Sequence, residues 1–238
     1  MSASGPVVAV IPARLAATRL PQKPLLPVQG RPLLLHVIER VRAASLVSDV
    51  RVATPDPEIA AVAVGAGVRV WLGGADARTG SDRVAMAAGD ELGSAALWLN
   101  VQGDQPWLDP DAVDALVQAM ARTPEADVGT LRAPLTGPPE DRARVKVVCD
   151  PRDRALWFSR QPVPTGGPWW LHLGVYAFRP AALRRFAALP TSAHERSESL
   201  EQLRILEDGA AVYAFPWPRA WGAVDVPSDL GPGAGAGG

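Results

Sequence analysis

Apolar runs of strand length alternate with amphipathic helical segments through the first half of the chain. The strand-like runs cover residues 7–11, 49–54, 68–72 and 96–101. The helical segments cover residues 32–42 and 57–64, a stretch that follows Arg83 and continues to residue 92, and residues 110–120. Runs that are apolar throughout predict strands buried on both faces. Because strands and helices alternate, the pattern predicts an α/β fold with a mostly parallel sheet and right-handed crossovers.

The pattern changes after residue 127. Short strand-like runs at 128–135, 145–149 and 156–160 are joined by Pro- and Gly-rich connections, and a longer run follows at 169–178. We therefore expect one domain over residues 1–230 that includes a small antiparallel extension at about 127–180. The remaining segments predict helices at 181–189 and 191–207, a strand at 211–215, a strand that ends near 224, and a flexible Gly-rich tail at 231–238. In the second of these helices, Glu195, Glu198 and Gln202 form a polar stripe, which predicts a solvated face.

Composition and charge narrow the function classes. A net charge of −1 over 238 residues gives no global field that would attract nucleic acid or an anionic membrane, so an anionic ligand needs a local cluster of cations. The single cysteine, Cys149, excludes an internal disulfide and a thiol-based zinc site. No apolar run reaches the ~20 residues of a membrane helix, and the N-terminal residues lack a signal-peptide pattern. We expect a cytoplasmic protein without nucleic-acid or membrane partners.

A cationic loop follows the first predicted strand. It carries Arg14, Arg19 and Lys23 without an acid, and Pro12, Pro21 and Pro24 stiffen it. A buried strand that leads into a basic loop and then a helix is how open α/β sheets bind anions at their carboxyl edge. Lys23 is one of only two lysines in an arginine-rich chain, which suggests that a compact ammonium is needed there. The loop predicts a polyphosphate site, with an ordinary solvated turn as the alternative.

Two further segments carry candidate chemistry. Thr79 and Asp82 have capping-box spacing, and the glycine and hydroxyl groups beside Arg83 also suit a ribose or a phosphate. Asp104 follows Gly103 at the end of a predicted central strand, where a carboxylate can hold a hard metal ion beside phosphates. A turn-forming aspartate is the alternative there.

In order along the chain, these segments resemble the 3-deoxy-D-manno-octulosonate (KDO) cytidylyltransferases. The motifs that carry the resemblance are IPAR at 11–14, TRLPQKPL at 18–25, TGSDR at 79–83, NVQGD at 100–104, FSR at 158–160, HLGVY at 172–176, EQLR at 201–204 and VD at 224–225. The resemblance implies a Rossmann-like nucleotidyltransferase fold with an antiparallel dimerisation extension, and a homodimer. It also implies Mg²⁺-dependent transfer of CMP from CTP to the anomeric hydroxyl of KDO, with release of pyrophosphate, for lipopolysaccharide sugar activation.

The resemblance also implies roles for residues at matching positions. The nucleotide-binding residues would be Pro12, Ala13, Arg14, Lys23, Gly80, Ser81, Arg83, Gln102 and Gly103, with Gln102 reading the cytosine. The sugar-binding residues would be Arg19, Arg160, His172, Tyr176, Glu201 and Gln202. The catalytic residues would be Lys23, Arg19, Asp104 and Asp225, and the two aspartates would hold the magnesium. One departure is Gln105, where the family usually has glutamate, so a negative charge is missing beside the predicted metal site.

Three other functions compete with this interpretation. A related cytidylyltransferase could act on another acidic sugar, such as 8-amino-KDO or a sialic acid. A catalytically weakened nucleotide-binding homologue is a second alternative, which Gln105 and the short C-terminal tail favour. A dinucleotide dehydrogenase is disfavoured, because cations stand after the first strand in place of a G-x-G-x-x-G motif.

Overall fold

A twisted sheet with helices on both faces forms the protein. The computed structural model describes residues 5–16, 20–224 and 229. The strands are β1 Val7–Pro12, β2 Pro27–Val28, β3 Arg31–Pro32, β4 Asp49–Thr54, β5 Arg69–Leu72, β6 Leu97–Val101, β7 Val128–Pro134, β8 Lys146–Cys149, β9 Ala155–Ser159, β10 Trp170–Phe178 and β11 Val212–Pro216. The helices are α1 Leu33–Arg42, α2 Pro57–Gly65, α3 Gly80–Ala88, α4 Pro110–Arg122, α5 Pro180–Ala188, α6 Ala193–Glu198 and α7 Gln202–Glu207.

The strand order of the main sheet is β11-β7-β10-β6-β1-β4-β5. Strand β1 is parallel to β4 and β6, β4 is parallel to β5, and β7 is parallel to β11. Strand β10 runs antiparallel to both of its neighbours in this order, β6 and β7. The β8–β9 hairpin adds to β10, also antiparallel. The predicted mostly parallel α/β sheet with an antiparallel extension is therefore confirmed.

Strand β1 is buried on both faces, as its unbroken apolar sequence predicts. Its alternate residues enter two separate cores because side chains alternate across a strand. Ile11 lies on one face, in the core that also holds Val37 of α1 and Val113 of α4. Val10 packs on the other face, in the core that holds α3, α5 and α7. This double burial fixes the position of the loop that follows β1.

Four local predictions were wrong in detail. The single helix predicted at 191–207 is two short helices, because Ser199 has a left-handed φ of 54° and ends α6. The polar stripe is not solvated, since Glu195 and Gln202 are each only 5% exposed. The helix predicted to reach residue 92 ends at Gly89, which has a φ of 44° and begins a short 3₁₀ segment, Gly89–Ser94. A strand was predicted to end near residue 224, but residues 217–224 form no strand.

Three elements have no counterpart in the predictions. Lys23–Leu25 forms a 3₁₀ turn, and β2 and β3 form a small hairpin before α1. The predicted flexible tail at 231–238, and the sites predicted at Arg19 and Asp225, lie outside the described residues.

Candidate active site

A small cleft of about 250 Å³ lies at the carboxyl end of β1. The residues that line it are Pro12, Ala13, Arg14, Lys23, Pro24, Thr79, Gly80, Arg83, Gln102, Gly103 and Asp104. They come from the loops after β1 and β6 and from the start of α3. Eight of the nine predicted nucleotide-binding residues therefore line this one cleft, and Ser81 is the ninth, which does not.

Two glycines let main chains approach closely in this cleft. A Cβ atom at Gly103 would lie 3.1 Å from the Pro12 carbonyl oxygen. A Cβ atom at Gly80 would lie 3.3 Å from both the Gln102 amide and the Pro12 ring. Contacts this short require a neighbour to move, so larger residues would displace the walls of the cleft.

Lys23 joins three distant segments of the chain. Its Nζ donates to Asp104 Oδ2 at 2.8 Å and to the Val224 carbonyl at 2.9 Å. The Val224 amide donates in turn to the Asp104 carbonyl at 2.8 Å. The loop after β1, the loop after β6 and the segment that follows β11 therefore meet at one point. Asp225 is the next residue along the chain but is not described.

The carboxylate of Asp104 is the one predicted metal ligand in the described part of the chain. It is 28% exposed, at the edge of the small cleft. No group of three or more His, Cys, Asp or Glu residues that could hold a metal exists among residues 5–16, 20–224 and 229. The oxygen donor set fits Mg²⁺, which protein sites hold with one or two carboxylates while ligand phosphates and water supply the remaining oxygens.

Ser81, Asn100 and Glu201 are joined by hydrogen bonds. Ser81 Oγ donates to Glu201 Oε1 at 2.7 Å, and Asn100 Nδ2 donates to Ser81 Oγ at 2.9 Å. The Ser81 amide also donates to Glu201 Oε2 at 3.3 Å. The predicted nucleotide residue Ser81 is thus bonded to a predicted sugar residue and is 2% exposed.

A second, larger cleft of about 1210 Å³ adjoins the first. The two clefts share Arg14, Thr79, Gln102 and Asp104 in their walls. Of the predicted sugar-binding residues, Arg160, His172, Tyr176, Glu201 and Gln202 all line the larger cleft. The strands and helices that supply them are β10, the end of β9 and the α6–α7 region. The predicted nucleotide and sugar residues therefore occupy adjoining spaces with Asp104 at the junction.

His172 is neutral in this cleft. Burial lowers the pKa of its imidazole to about 3. Its Nε2 lies 3.0 Å from Thr130 Oγ1, and the hydroxyl has a carbonyl acceptor at 2.7 Å, that of Val175. Because a hydroxyl has one proton and donates it to the carbonyl, Nε2 carries the proton that His172 donates to Thr130. A neutral, oriented imidazole can bind a substrate hydroxyl but cannot act as a general acid near pH 7.

A family model described as cytidylyltransferase matches residues 8–212. The chain belongs to the cytidylyltransferase family. Relatives named 3-deoxy-manno-octulosonate cytidylyltransferase include one from Anaeromyxobacter sp. (strain Fw109-5), 45% identical over 94% of this chain and 93% of the relative. Another, from Rhodopseudomonas palustris (strain BisA53), is 46% identical over 93% and 92%.

The chain is also similar to solved structures. A CMP:2-keto-3-deoxy-manno-octonic acid synthetase complexed with CTP has a TM-score of 0.88, is 35% identical, and matches over 95% of each chain. A cytidylyltransferase from Leptospira borgpetersenii serovar Hardjo-bovis (strain JB197), at 20% identity and a TM-score of 0.61, shares the fold. Within the described part of this cytidylyltransferase, no helix has the length and apolar character that would let it cross a membrane.

The cytidylyltransferase has a buried ion network that the sequence analysis did not identify. Arg204, 2% exposed, donates from Nη1 to Asp82 Oδ1 at 2.7 Å and from Nε to Glu195 Oε2 at 2.8 Å. Each carboxylate also completes a capping box, Asp82 with Thr79 at α3 and Glu195 with Ser192 at α6. One guanidinium thus joins the helix starts beside both clefts. The sequence does contain the capping-box spacing from Ser192 to Glu195, which could have indicated that Glu195 lies at a helix start.

The side-chain amide of Gln105 makes two hydrogen bonds, one as a donor and one as an acceptor. Its Nε2 donates to the Gly174 carbonyl at 3.4 Å, and its Oε1 accepts from Trp221 Nε1 at 3.1 Å. A neutral glutamine can do both, whereas an ionised glutamate cannot donate to a carbonyl. Gln105 therefore links the loop after β6 to β10 and to the segment that precedes Val224.

Proposed function

We propose that this cytidylyltransferase transfers CMP from CTP to the anomeric hydroxyl of 3-deoxy-D-manno-octulosonate and releases pyrophosphate. One observation carries the proposal: the cationic cleft and the larger cleft meet at Asp104, so a nucleotide in one would present its phosphates to a sugar in the other. The relatives' names and the CTP complex of the similar solved structure support the same substrates.

The small cleft suits a triphosphate. Arg83 is 4% exposed, and its Nε has no hydrogen-bond partner in the described structure. Burial, followed by the charge of Arg14, lowers the pKa of the Arg83 guanidinium, so bound phosphate charge would relieve an unfavourable pair of cations. The main chain at Pro12 and Gly103 permits close approach. The Gln102 amide, which can donate and accept, suits the polar edge of cytosine.

Asp104 and Asp225 would hold one Mg²⁺ against the triphosphate. When bound, the ion would polarise the α-phosphate and lower the pKa of the attacking sugar hydroxyl. The support from this chain is that Val224, the residue before Asp225, is hydrogen-bonded to Asp104 and Lys23. Lys23 would neutralise phosphate charge as a compact cation. The reaction then needs in-line positioning of hydroxyl and phosphate, with no covalent intermediate on the protein.

The larger cleft offers groups that suit an acidic sugar. Arg160 provides a guanidinium, whose planar fork matches a carboxylate. Gln202 is 5% exposed, lines this cleft, and its Nε2 donor lacks a partner in the described structure. Such a buried donor is costly unless a ligand accepts its hydrogen bond. Glu201 and the neutral His172 would bind sugar hydroxyls.

The test is a substrate panel. The protein, with CTP and Mg²⁺, is given KDO, 8-amino-KDO, a sialic acid or no sugar, and pyrophosphate release is measured. KDO should give the highest kcat/KM, and replacement of CTP by UTP or removal of Mg²⁺ should abolish the signal. Preference for another acidic sugar would replace KDO in the proposal. CTP binding without pyrophosphate from any sugar would indicate a weakened nucleotide-binding homologue.

We also propose a cytoplasmic homodimer that uses the β8–β9 hairpin. On β9, Leu156 is 55% exposed, an apolar side chain that a partner subunit would cover. The cytoplasm is the compartment that supplies CTP. Sedimentation equilibrium should give twice the mass of the chain, and Leu156→Glu should weaken the association. A monomer at micromolar concentration would contradict the dimer without affecting the proposed reaction.

A further inference from the structure

The ammonium group of Lys146 is buried at the start of β8. The residue is 0% exposed, and its Nζ donates to three main-chain carbonyls: Asp141 at 2.8 Å, Arg144 at 2.7 Å and Arg160 at 2.9 Å. An ammonium has three N–H donors, so every donor has an acceptor. Burial lowers the pKa of Lys146, and the three carbonyl dipoles offset the cost of the buried charge.

The residues that supply the three carbonyls line the larger cleft. Asp141 and Arg144 lie in the connection between β7 and β8, and both line the cleft. Arg160 follows β9 and lines the same cleft. Its Nη1 donates to the Arg142 carbonyl at 2.9 Å, so the guanidinium is held against the same connection. Lys146 therefore fastens both the loop and the main chain of the arginine that faces it.

We propose that Lys146 is a positioning residue for the acidic sugar, since it holds Arg160 and the 141–144 loop where they can bind the substrate. This inference rests on the proposed function. Lysine suits the position because its ammonium has three rotatable donors, whereas the guanidinium of an arginine fixes its donors in one plane. Loss of the three bonds would let Arg160 move by a fraction of an ångström to an ångström, which weakens an oriented ion pair.

The experiment compares Lys146→Met with Arg179→Met. Arg179 is a matched control because its guanidinium also donates to three carbonyls, those of Ala126, Met120 and Thr123, and it lines neither cleft. Steady-state pyrophosphate release is measured with KDO varied at saturating CTP, and then with CTP varied at saturating KDO. Thermal unfolding is followed on the same samples.

For Lys146→Met we expect the KM for KDO to rise about tenfold or more while the KM for CTP stays within about twofold. Arg179→Met should lower the unfolding temperature and leave both KM values within about twofold of wild type. Lys146→Arg retains the charge and the long stem and should fold if the methionine variant does not. We expect it to raise the KM for KDO by a smaller factor, about threefold or more.

Several outcomes would overturn the inference. Unchanged KM values in Lys146→Met with a lower unfolding temperature would make Lys146 a purely structural residue. An equal rise of the KM values for KDO and CTP in Lys146→Met would also mean that Lys146 has no specific role toward the sugar. A rise of the KM for KDO in Arg179→Met as large as that in Lys146→Met would mean the same. If neither Lys146 variant folds, Lys146 is needed for folding, and the proposed positioning role is rejected. If wild-type protein binds CTP but gives no pyrophosphate with KDO, the proposed function itself fails, and the inference fails with it.

Discussion

The small cleft and the larger cleft are constructed in different ways. The small cleft uses main chain at the carboxyl ends of β1 and β6, and the nearby short motifs supply its side chains. The larger cleft is formed from the antiparallel strands and from α6 and α7, and buried charges hold its walls. Backbone geometry therefore shapes the small cleft, while hydrogen-bonded side chains from distant segments shape the larger cleft.

This difference predicts which substitutions affect which substrate. Main-chain walls change little when one side chain is replaced, so the small cleft should lose affinity mainly through its own contact residues. Walls held by single buried charges should shift when a residue that never touches substrate is replaced. Lys146 and Arg204 are two such residues: Lys146 is bonded to the 141–144 loop, and Arg204 is bonded to Asp82 of α3 and Glu195 of α6.

The largest expected effect is on stability, for Arg204→Met. This change leaves the buried carboxylates of Asp82 and Glu195 without their guanidinium. Breaking a buried ion pair from one side costs about 3–5 kcal/mol, and urea unfolding should show a loss of that size. Arg78→Met is the control, because Arg78 pairs with the same Asp82 but is 43% exposed, and exposed pairs contribute only about 0–1 kcal/mol.

The pH dependence should distinguish the two variants further. Burial raises the pKa of Asp82, but hydrogen bonds and charge from Arg204 outweigh it and hold that pKa below its usual range. Ionised Asp82 therefore contributes stability above about pH 4 that is lost as the pH falls further. In Arg204→Met the pairing with the guanidinium is lost, while the hydrogen bond from Thr79 and the charge of Arg78 remain, so the unfolding free energy should fall less below about pH 4 than it does in wild type. Equal losses in the Arg78 and Arg204 variants would contradict a buried network.

The second effect is on rate, for Asp104→Ala. The proposed metal carboxylate is lost at the junction of the clefts, and kcat with CTP and KDO should fall by about a hundredfold or more, roughly 3 kcal/mol of transition-state stabilisation. Lys23 also loses its carboxylate partner at 2.8 Å. Asp111→Ala, an exposed acid in the first turn of α4, is the control and should keep full turnover. Undiminished Mg²⁺-dependent turnover in Asp104→Ala would exclude the proposed role.

The third effect tests the neutral His172 in the larger cleft. Its pKa of about 3 lies below the ordinary value of 6.5, so the unfolded chain binds a proton that the folded protein does not. Its contribution to stability is complete above pH 6.5 and declines as the pH falls toward 3. Between pH 6.5 and 5 the unfolding free energy of wild type should fall by about 1.5 kcal/mol more than that of His172→Gln. Parallel pH profiles would mean that the imidazole is protonated in the folded protein.

The sequence predicted most of the residues that line the small cleft. The strand at residues 7–11, the cations after it and the TGSDR and NVQGD motifs are local patterns, and parallel strands bring their carboxyl ends to one edge. The capping box of Thr79 and Asp82 was predicted and is present. The roles of Arg19 and Asp225 stay predictions, since neither residue is described.

The larger cleft was predicted less completely, because its contacts join distant positions. Glu195 and Gln202 have the spacing of a solvated stripe, yet both are buried, and the partner of Glu195 is Arg204. Ser199, with its left-handed backbone conformation, ends α6, so the second half of the predicted helix is the separate helix α7. The three acceptors of Lys146 are main-chain carbonyls, which any residue supplies, so no residue type in the sequence marks them.

The smallest expected effect lies at Gln105, which contacts segments of both sides. Gln105→Glu keeps the acceptor for Trp221 and loses the donor to the Gly174 carbonyl. A carboxylate beside that carbonyl should lower the unfolding free energy by about 1 kcal/mol and change kcat/KM by less than about fivefold. Gln105→Met, which has neither bond, should cost more stability than Gln105→Glu because Trp221 also loses its acceptor. If Gln105→Glu is instead as stable as wild type, the hydrogen bond from the Gln105 amide to the Gly174 carbonyl does not contribute to stability.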